Sequence, residues 1–334
     1  MGRFIQRSFR QVLVLRLRLF ARKWDQFWFR AEALPQLVLF RVLLGALLFL
    51  FFSTRLLDLE LFYSDRGVLP LEQVSEFGDI KYLFALQLWG LIPAAHWVFG
   101  IISVLASLTL LFGVFPRVSA ALLFVAHLGF SQRNPMLVYG FDKVVAFFLI
   151  SLIISGPHLS LMQSRGFWFS RLSSLALRLG QIQVAVIYVF SGLEKLKGPM
   201  WWRGESVWAV LANSQMAQFD FAWTAHFPVA LTLATYATLI WEIYFIALVW
   251  RRPWTYPVLL FGVMLHLGIG VAMGLPYFAA GMVFSYVFFV RAEHALTVIV
   301  QWQRSVTRIR RTIFFGKHQK KLQVSTQSSD PISV

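Results

Sequence analysis

The chain is predicted to be an all-α integral membrane protein with about eight transmembrane helices and both termini in the cytoplasm. Of its 334 residues, 58% are hydrophobic and only 14% are charged, whereas roughly a quarter are charged in soluble domains. Several apolar runs approach the roughly 20 residues that a helix needs to cross a bilayer. The loops between these runs alternate between rich and poor in Lys and Arg, as is typical of polytopic membrane proteins.

The apolar runs define the predicted helices in order. A basic segment over residues 1–35 comes first and is expected to form an amphipathic helix on the cytoplasmic membrane surface. Arg133-Asn134-Pro135 breaks the short third and fourth spans, and such a break is tolerated only inside protein or beside a cavity. The predicted spans cover residues 36–54, 91–114, 118–137, 143–156, 179–195, 228–250, 254–274 and 276–290.

The distribution of charge predicts the orientation of these spans. Most of the 31 Lys and Arg residues lie at the two ends of the chain and in loops that eight spans would put on the same side. The positive-inside rule assigns that side to the cytoplasm. The loops over 57–90 and 196–227 are then outside, and residues 36–290 form one transmembrane domain. Residues 291–334 are predicted to form a basic cytoplasmic helix and a disordered tail.

Composition and motifs exclude several classes of function. The chain has no cysteine, which excludes disulfides, thiol catalysis and cysteine-ligated metals. No His or carboxylate pair has metal-ligand spacing and no phosphate-binding glycine loop is present, so we expect neither a metal nor a nucleotide. The net charge is +16, but the basic residues follow one membrane side. Membrane lipids, and not nucleic acid, are therefore the expected partners.

Lys195 is the most informative residue, because a charged side chain near hydrocarbon is costly and marks a candidate functional site. On a helix, Tyr188, Ser191 and Lys195 lie on one face. The lysine could snorkel to the headgroups, or it could act as a general base, since burial favours the neutral amine. Glu194 would oppose the second role only if its side chain shared the same pocket.

The segment over residues 181–208 resembles the lysine-bearing segment of the vitamin K-dependent gamma-carboxylase family and its bacterial relatives, the HTTM proteins. The family pattern is similar to Tyr-Phe-x-Ala-Gly-x-Lys-Lys-Leu followed by Trp and Gly. This chain has Tyr188-Val-Phe-Ser-Gly-Leu-Glu-Lys195-Leu, then Trp202 and Gly204. Lys195 matches the second lysine of the family pair, and Glu194 stands in place of the first.

Looser likenesses extend this resemblance over residues 36–290. They are the aromatic–Asp–Gly–Leu–Pro turn over 61–70, the segments 131–135 and 139–142, and the late histidine segment over 265–278. The histidine segment is less polar here than in the family. The resemblance implies a location in the bacterial cytoplasmic (inner) membrane.

The resemblance also implies a chemistry. A reduced, vitamin K-like quinone would bind in an outward-facing pocket, and Lys195 would remove its proton. Oxygen would then generate a stronger base that acts on a second substrate, such as a peptide or protein on the outer face. His266 is the other catalytic candidate. The substrate-binding candidates are Tyr188, Ser191, Trp202, Arg133, Asp142 and Glu242.

Structural roles compete with these functional ones. An intramembrane carboxylate must be protonated or paired, and Arg41 is one possible partner for Glu242. Arg133 and Asp142 could form a structural ion pair. His266 could be a packing histidine that is hydrogen-bonded to a neighbouring helix, or a proton relay.

Two other functions remain open for the whole chain. One is a non-enzymatic membrane partner for maturation or export of a peptide, a role found among the HTTM relatives, in which the outer loops would bind the partner. The other is a proton-coupled transporter that uses Glu242 and His266. In the transporter, replacement of Glu242 would abolish function and replacement of Lys195 would not.

Overall fold

The computed structural model describes residues 2–30, 34–74, 84–92, 94–155, 167–302 and 304–305, which contain helices and no strand. Short 3-10 turns follow α2, α7 and α14 and precede α12. The α-helices up to residue 290 are α1 (Gly2–Phe29), α2 (Pro35–Arg55), α3 (Leu59–Tyr63), α4 (Leu71–Val74), α5 (Phe84–Leu91), α6 (Ala95–Phe112), α7 (Pro116–Arg133), α8 (Gly140–Ile154), α9 (Phe167–Leu196), α10 (Pro199–Trp202), α11 (Ser206–Ala212), α12 (Pro228–Leu248), α13 (Arg252–Ala272) and α14 (Pro276–Ser285).

Each predicted span falls on a helix: α2, α6, α7, α8, α9, α12, α13 and α14 with its following 3-10 turn. Within the described part of the chain, five helices are individually long and apolar enough to cross a membrane. They contain α2, α6, most of α9, α12 and α13. The segments Pro276–Phe289 and Ala292–Trp302 are a sixth candidate span if they are taken together as one. The all-helical, membrane-type architecture is confirmed, whereas the count of eight spans and the cytoplasmic termini stay predictions.

Proline and glycine define many of the helix ends. Proline lies in the first turn of α2, α7, α12, α13 and α14, where its missing N–H costs no intrahelical hydrogen bond. Gly113 directly follows the last residue of α6, and its φ of 75° is the left-handed conformation that glycine adopts easily. Helix α9 begins well before the predicted apolar run, and its first half, which carries Arg171 and Arg178, packs against α1. There Arg171 contacts Asp25 at 2.6 Å, and Arg178 donates to the carbonyl of Phe27.

Helices α2 and α14 run in opposite directions, as contacts at both ends of α2 show. The end of α2 meets the start of α14 through a hydrogen bond of 2.9 Å between Thr54 and Tyr277. At the opposite end, Gln36 at the start of α2 donates to the carbonyl of Val290. The ring of Phe40 on α2 packs against aromatic rings from α8 and from the turn after α14. Helix α2 therefore runs through the core of the bundle.

Arg41 on α2 caps the end of α6. Its guanidinium donates to the carbonyls of Leu110 and Leu111 in the last turn, where carbonyl groups lack the i+4 partners of a helix interior. A Cβ atom at Gly113 would lie only 3.0 Å from the guanidinium, so glycine also makes room for this cap. The suggested pairing of Arg41 with Glu242 is wrong, because Arg41 donates to the carbonyls of α6 and Glu242 pairs with Lys195.

The two ends of the chain are described in part. The unit that begins at Arg291 is separate from the rest of the chain, and in its described part a helix covers Ala292–Trp302. The predicted disordered tail over residues 316–334 lies outside the described residues. Helix α1 is present where a helix was predicted, and Leu15, Leu17 and Phe20 are exposed on it. Its location on a membrane surface stays a prediction.

Candidate functional site

Lys195 and Glu242 form an ion pair between α9 and α12. Nζ of Lys195 lies 2.8 Å from Oε2 of Glu242 and donates to Oε1 at 2.9 Å. Nζ also donates to Oγ of Ser191 at 2.6 Å. The glutamate side chain is 8% exposed and the lysine side chain 23%. Two opposite charges are far less costly to bury together than alone, which explains how an ammonium is held here.

Gly192 brings the two helices close enough for this pair to form. A Cβ atom at Gly192 would lie 2.8 Å from Cγ1 of Ile243 and 3.3 Å from Cβ of Glu242. A larger residue would push α12 away from α9. The glycine is one turn before Lys195 and thus sets the spacing at the level of the ion pair.

The ion pair lies far from the first residue of α12. Pro228 begins α12, and at 1.5 Å per residue Glu242 is about 21 Å further along the helix. The intervening part of α12 contacts the segment after α9, since Tyr236 donates to the carbonyl of Trp202 at 2.7 Å. Lys195 is therefore level with the interior of α12. Glu242 and Ser191 are the polar partners of the ammonium among the described residues.

Glu194 does not share the pocket of Lys195. Its carboxylate pairs with Lys197 at 2.6 Å, and both of these side chains are about two-thirds exposed. Adjacent residues on a helix point roughly 100° apart, which separates Glu194 from Lys195. The carboxylate of the site comes instead from Glu242, on another helix.

Tyr188 is the centre of a second hydrogen-bonded group, two turns before Lys195 on α9. Its hydroxyl lies 2.7 Å from Nε2 of His266 on α13 and 2.7 Å from the hydroxyl of Tyr286, which follows α14. All three side chains are buried. Nδ1 of His266 has no hydrogen-bond partner among the described residues. His266 is therefore hydrogen-bonded to a neighbouring helix, as its packing interpretation predicts, but only through one of its two ring nitrogens.

Aromatic rings surround both polar groups. Tyr188 packs against Trp241 and Phe245, with ring centroids 4.6 and 4.5 Å apart. The imidazole of His266 meets the ring of Phe278 edge to face. These rings exclude water from the hydrogen bonds and strengthen the electrostatic interactions within the group.

The tryptophan beside the ammonium is Trp201. Nζ of Lys195 lies 5.3 Å from the centre of the Trp201 ring, within the range of a cation–π interaction. The predicted residue, Trp202, donates its indole N–H to the carbonyl of Leu196 and is 62% exposed. Sequence reasoning missed Trp201 and Tyr286. Trp201 belongs to the same Trp-Trp motif, whereas no sequence signal marks Tyr286 among the many aromatic residues.

Arg133 is a structural residue at the end of α7. Its guanidinium is fully buried and donates to the carbonyls of Leu69 and Ser64 and to the carboxylate of Asp65. These bonds fix the turn after α3 against α7. The predicted ion pair with Asp142 is not formed, because the acceptors of the turn occupy the arginine.

Asp142 belongs to a different cluster, at the start of α8. Its Oδ2 accepts from the backbone N–H of Tyr139, which caps the helix. Its Oδ1 lies 4.0 Å from a guanidinium nitrogen of Arg55 and 3.8 Å from Nε2 of His127. His127 donates that Nε2–H to the Asp142 carbonyl. No contact is described between Asp142 or Arg133 and the group around Lys195.

The site combines an ammonium–carboxylate pair with a tyrosine–histidine–tyrosine chain. Helix α9 contributes one residue to each group, Lys195 to the first and Tyr188 to the second. Such a site can accept a proton, donate a hydrogen bond and compensate a negative charge within an apolar helical bundle. It defines a membrane-type helical protein with a buried charge pair. Comparisons with protein-family models, with curated proteins and with solved structures find no match to this chain.

Proposed function

We propose that this chain is a relative of the HTTM proteins and vitamin K-dependent carboxylases that removes a proton from a hydroquinone-type lipid. The observation that carries the proposal is the Lys195–Glu242 pair, held at 2.8 Å deep along α12. The resemblance over residues 181–208 supports the substrate class. Intramembrane ionisable pairs of this kind are also typical of proton-handling sites.

The described residues fit a hydroxylated aromatic lipid. Lys195 is partly exposed, so its ammonium is accessible to such a lipid while Ser191 and both carboxylate oxygens of Glu242 hold it in place. Trp201 offers an aromatic face beside it. The unpaired Nδ1 of His266 is a further buried polar atom that a hydroxyl group could satisfy. The surroundings are otherwise apolar, as an amphipathic ring requires.

The ion pair makes Glu242, and not Lys195, the base of the site. Lys195 in contact with a carboxylate is an ammonium, so it has no lone pair with which to take a proton. Glu242 accepts the hydroxyl proton, either directly or through transfer from Lys195 to Glu242 along their hydrogen bond. Both routes end with a neutral carboxylic acid and an ammonium. The ammonium then compensates the negative charge left on the substrate oxygen, as an electrostatic stabiliser does.

Ser191 and Tyr188 position these groups. Ser191 accepts from Lys195 and lies 3.3 Å from Oε1 of Glu242, so it bridges both partners of the pair. Tyr188 holds the imidazole of His266 at 2.7 Å. We assign His266 to orienting the substrate through its second ring nitrogen, and assign the proton transfer to Glu242 and Lys195.

A turnover experiment tests the proposal. Purified protein in nanodiscs receives chemically reduced naphthoquinone and oxygen, and quinone epoxide is followed by mass spectrometry. The variants are Lys195→Met and Glu242→Gln. Lys197→Met is the matched control, because it removes an exposed lysine two positions away.

The expected result is epoxide from wild type and from Lys197→Met, with a loss of about a hundredfold or more in both site variants, as for removal of a general base. Equal epoxide formation in Lys195→Met would refute the assignment. No epoxide from folded wild type would count against the enzymatic function itself.

The second candidate is the non-enzymatic peptide partner. It is favoured by the exposed aromatic residues between α11 and α12, where Phe219 and Trp223 are both more than 60% exposed. This candidate predicts that peptide maturation or export fails when both rings are replaced by Ser. It also predicts that Lys195→Met retains this function.

A further inference from the structure

Arg55, near the end of α2, lies in an aromatic cage. Its guanidinium carbon is 4.4 Å from the centre of the Phe51 ring and 5.4 Å from the centres of the Tyr63 and Phe130 rings. The side chain is only 14% exposed. Cation–π contacts of this kind hold a guanidinium in place but occupy none of its N–H donors.

Among the residues that the structure describes, none accepts a hydrogen bond from the N–H donors of Arg55. Among the described residues its nearest charged partner is Asp142, at 4.0 Å, which is beyond hydrogen-bond distance. Arg133 at the same end of the bundle provides the contrast. It is more deeply buried, and the carbonyls of Ser64 and Leu69 and the carboxylate of Asp65 accept from it. One arginine is thus bonded within the fold, and the other is held by aromatic rings with no hydrogen-bond acceptor among the described residues.

Asp142 does not neutralise Arg55 fully. One carboxylate oxygen accepts from the Tyr139 N–H, and the other lies 3.8 Å from His127 as well as 4.0 Å from Arg55. A planar guanidinium with free, parallel N–H groups binds oxyanions such as carboxylate and phosphate in a bidentate manner. The geometry therefore favours an oxyanion as the group that completes this site.

We propose that Arg55 anchors an oxyanion-binding site for a phosphate group at the end of the bundle where α2 and α7 end and α8 and α14 begin. Leu57 and Leu61, which follow Arg55, are 84% and 52% exposed. An arginine beside exposed leucines at the end of an apolar helix is level with lipid headgroups. The phosphate of a phospholipid is therefore the expected source, and free phosphate is the other possible source.

Thermal unfolding of the full-length protein in detergent tests this site. The probes are dioctanoyl-phosphatidylglycerol, dioctanoylglycerol, which has no phosphate, and inorganic phosphate. A ligand that binds only the folded state raises the melting temperature with its concentration. The variant is Arg55→Gln. The control is Arg66→Gln, because Arg66 is an exposed arginine in the following loop.

The proposal expects stabilisation of wild type and Arg66→Gln by the phosphatidylglycerol and not by the diacylglycerol. Arg55→Gln should need at least about tenfold more of the phospholipid for the same shift. Stabilisation of wild type by inorganic phosphate as well would support the site with free phosphate as its source. Equal effects of the two lipids on wild type, or an unchanged response in Arg55→Gln, would overturn it.

A second variant keeps the test decisive if Arg55→Gln does not fold. Asp142→Asn removes the negative charge that faces Arg55 and keeps an oxygen for the Tyr139 N–H. Phosphatidylglycerol should bind this variant several-fold more tightly than wild type, because a repulsive charge is removed. Unchanged or weaker binding would contradict the proposal.

Discussion

Lys195 and Glu242 share a hydrogen bond of 2.9 Å although they are 47 positions apart in the chain. The contact joins the last turn of α9 to the second half of α12, and Ser191 bonds to both partners. Because the pair is buried together, neither residue is expected to act alone. Function and stability should respond to the pair as one unit.

A double-mutant cycle tests this coupling. Lys195→Met leaves a buried carboxylate without its cation, and Glu242→Gln leaves an ammonium without its anion, so each single variant should be destabilised. The double variant should be destabilised by less than the sum of the two, with a coupling free energy of about 2 kcal/mol. The measurement is unfolding of the four proteins in detergent. The exposed pair Lys197 and Glu194 is the control and should show coupling below about 1 kcal/mol.

Gly192→Ala should separate α9 from α12. The new Cβ would lie 2.8 Å from Cγ1 of Ile243, and such overpacking costs about 1–3 kcal/mol. Gly268→Ala on α13 is the matched control, because nothing lies within 4 Å of a Cβ atom there. Thermal unfolding of both variants checks the prediction. Similar melting temperatures would show that Gly192 does not set the helix spacing.

Tyr188→Phe and Tyr286→Phe should differ in their cost. The first removes the hydroxyl that bonds to both His266 and Tyr286 and so leaves two buried polar groups unpaired. The second leaves the bond between Tyr188 and His266 intact. We expect a loss of about 1–3 kcal/mol in the free energy of unfolding for Tyr188→Phe and a smaller loss for Tyr286→Phe. A larger effect of Tyr286→Phe would contradict the central position of Tyr188.

Arg133→Met should destabilise the protein without changing the chemistry at Lys195. Loss of the guanidinium removes the side-chain donor to the carbonyl of Leu69 and one of two donors to the carbonyl of Ser64, and such a buried network is worth about 3 kcal/mol or more. Unfolding measurements check the stability, with Arg66→Met as the exposed control. If Arg133→Met were fully stable but lost quinol turnover, the structural assignment would be wrong.

The sequence predicts the helices well, because apolar length and loop charge report directly on membrane-type helices. It also places Tyr188, Ser191 and Lys195 on one face of α9, since helical periodicity is a local property. The extra length of α9 was not predictable. The arginines in the first half of α9 are typical of a loop between spans, and only their contacts with α1 reveal that this segment is helical.

The partners of the charged residues could not be predicted. The sequence suggested Arg41 as a partner for Glu242, whereas the close approach of α9 and α12 at Gly192 brings Lys195 to it instead. Arg133 and Asp142 are close in sequence, but the chain reverses at Pro135 and the two side chains reach different neighbours. Tertiary geometry, not local pattern, selects these pairs.

The most direct test of the central proposal measures deprotonation at the Lys195–Glu242 pair. A naphthol that cannot be turned over is added to the protein in nanodiscs, and the absorbance of its anion is recorded against pH, with empty nanodiscs as the blank. Wild type and Lys197→Met should hold the naphthol as its anion at a pH well below that needed in empty nanodiscs. Glu242→Gln and Lys195→Met should lose this effect. If wild type binds the naphthol but leaves it neutral, or if Glu242→Gln behaves as wild type, then the pair is not the proton acceptor.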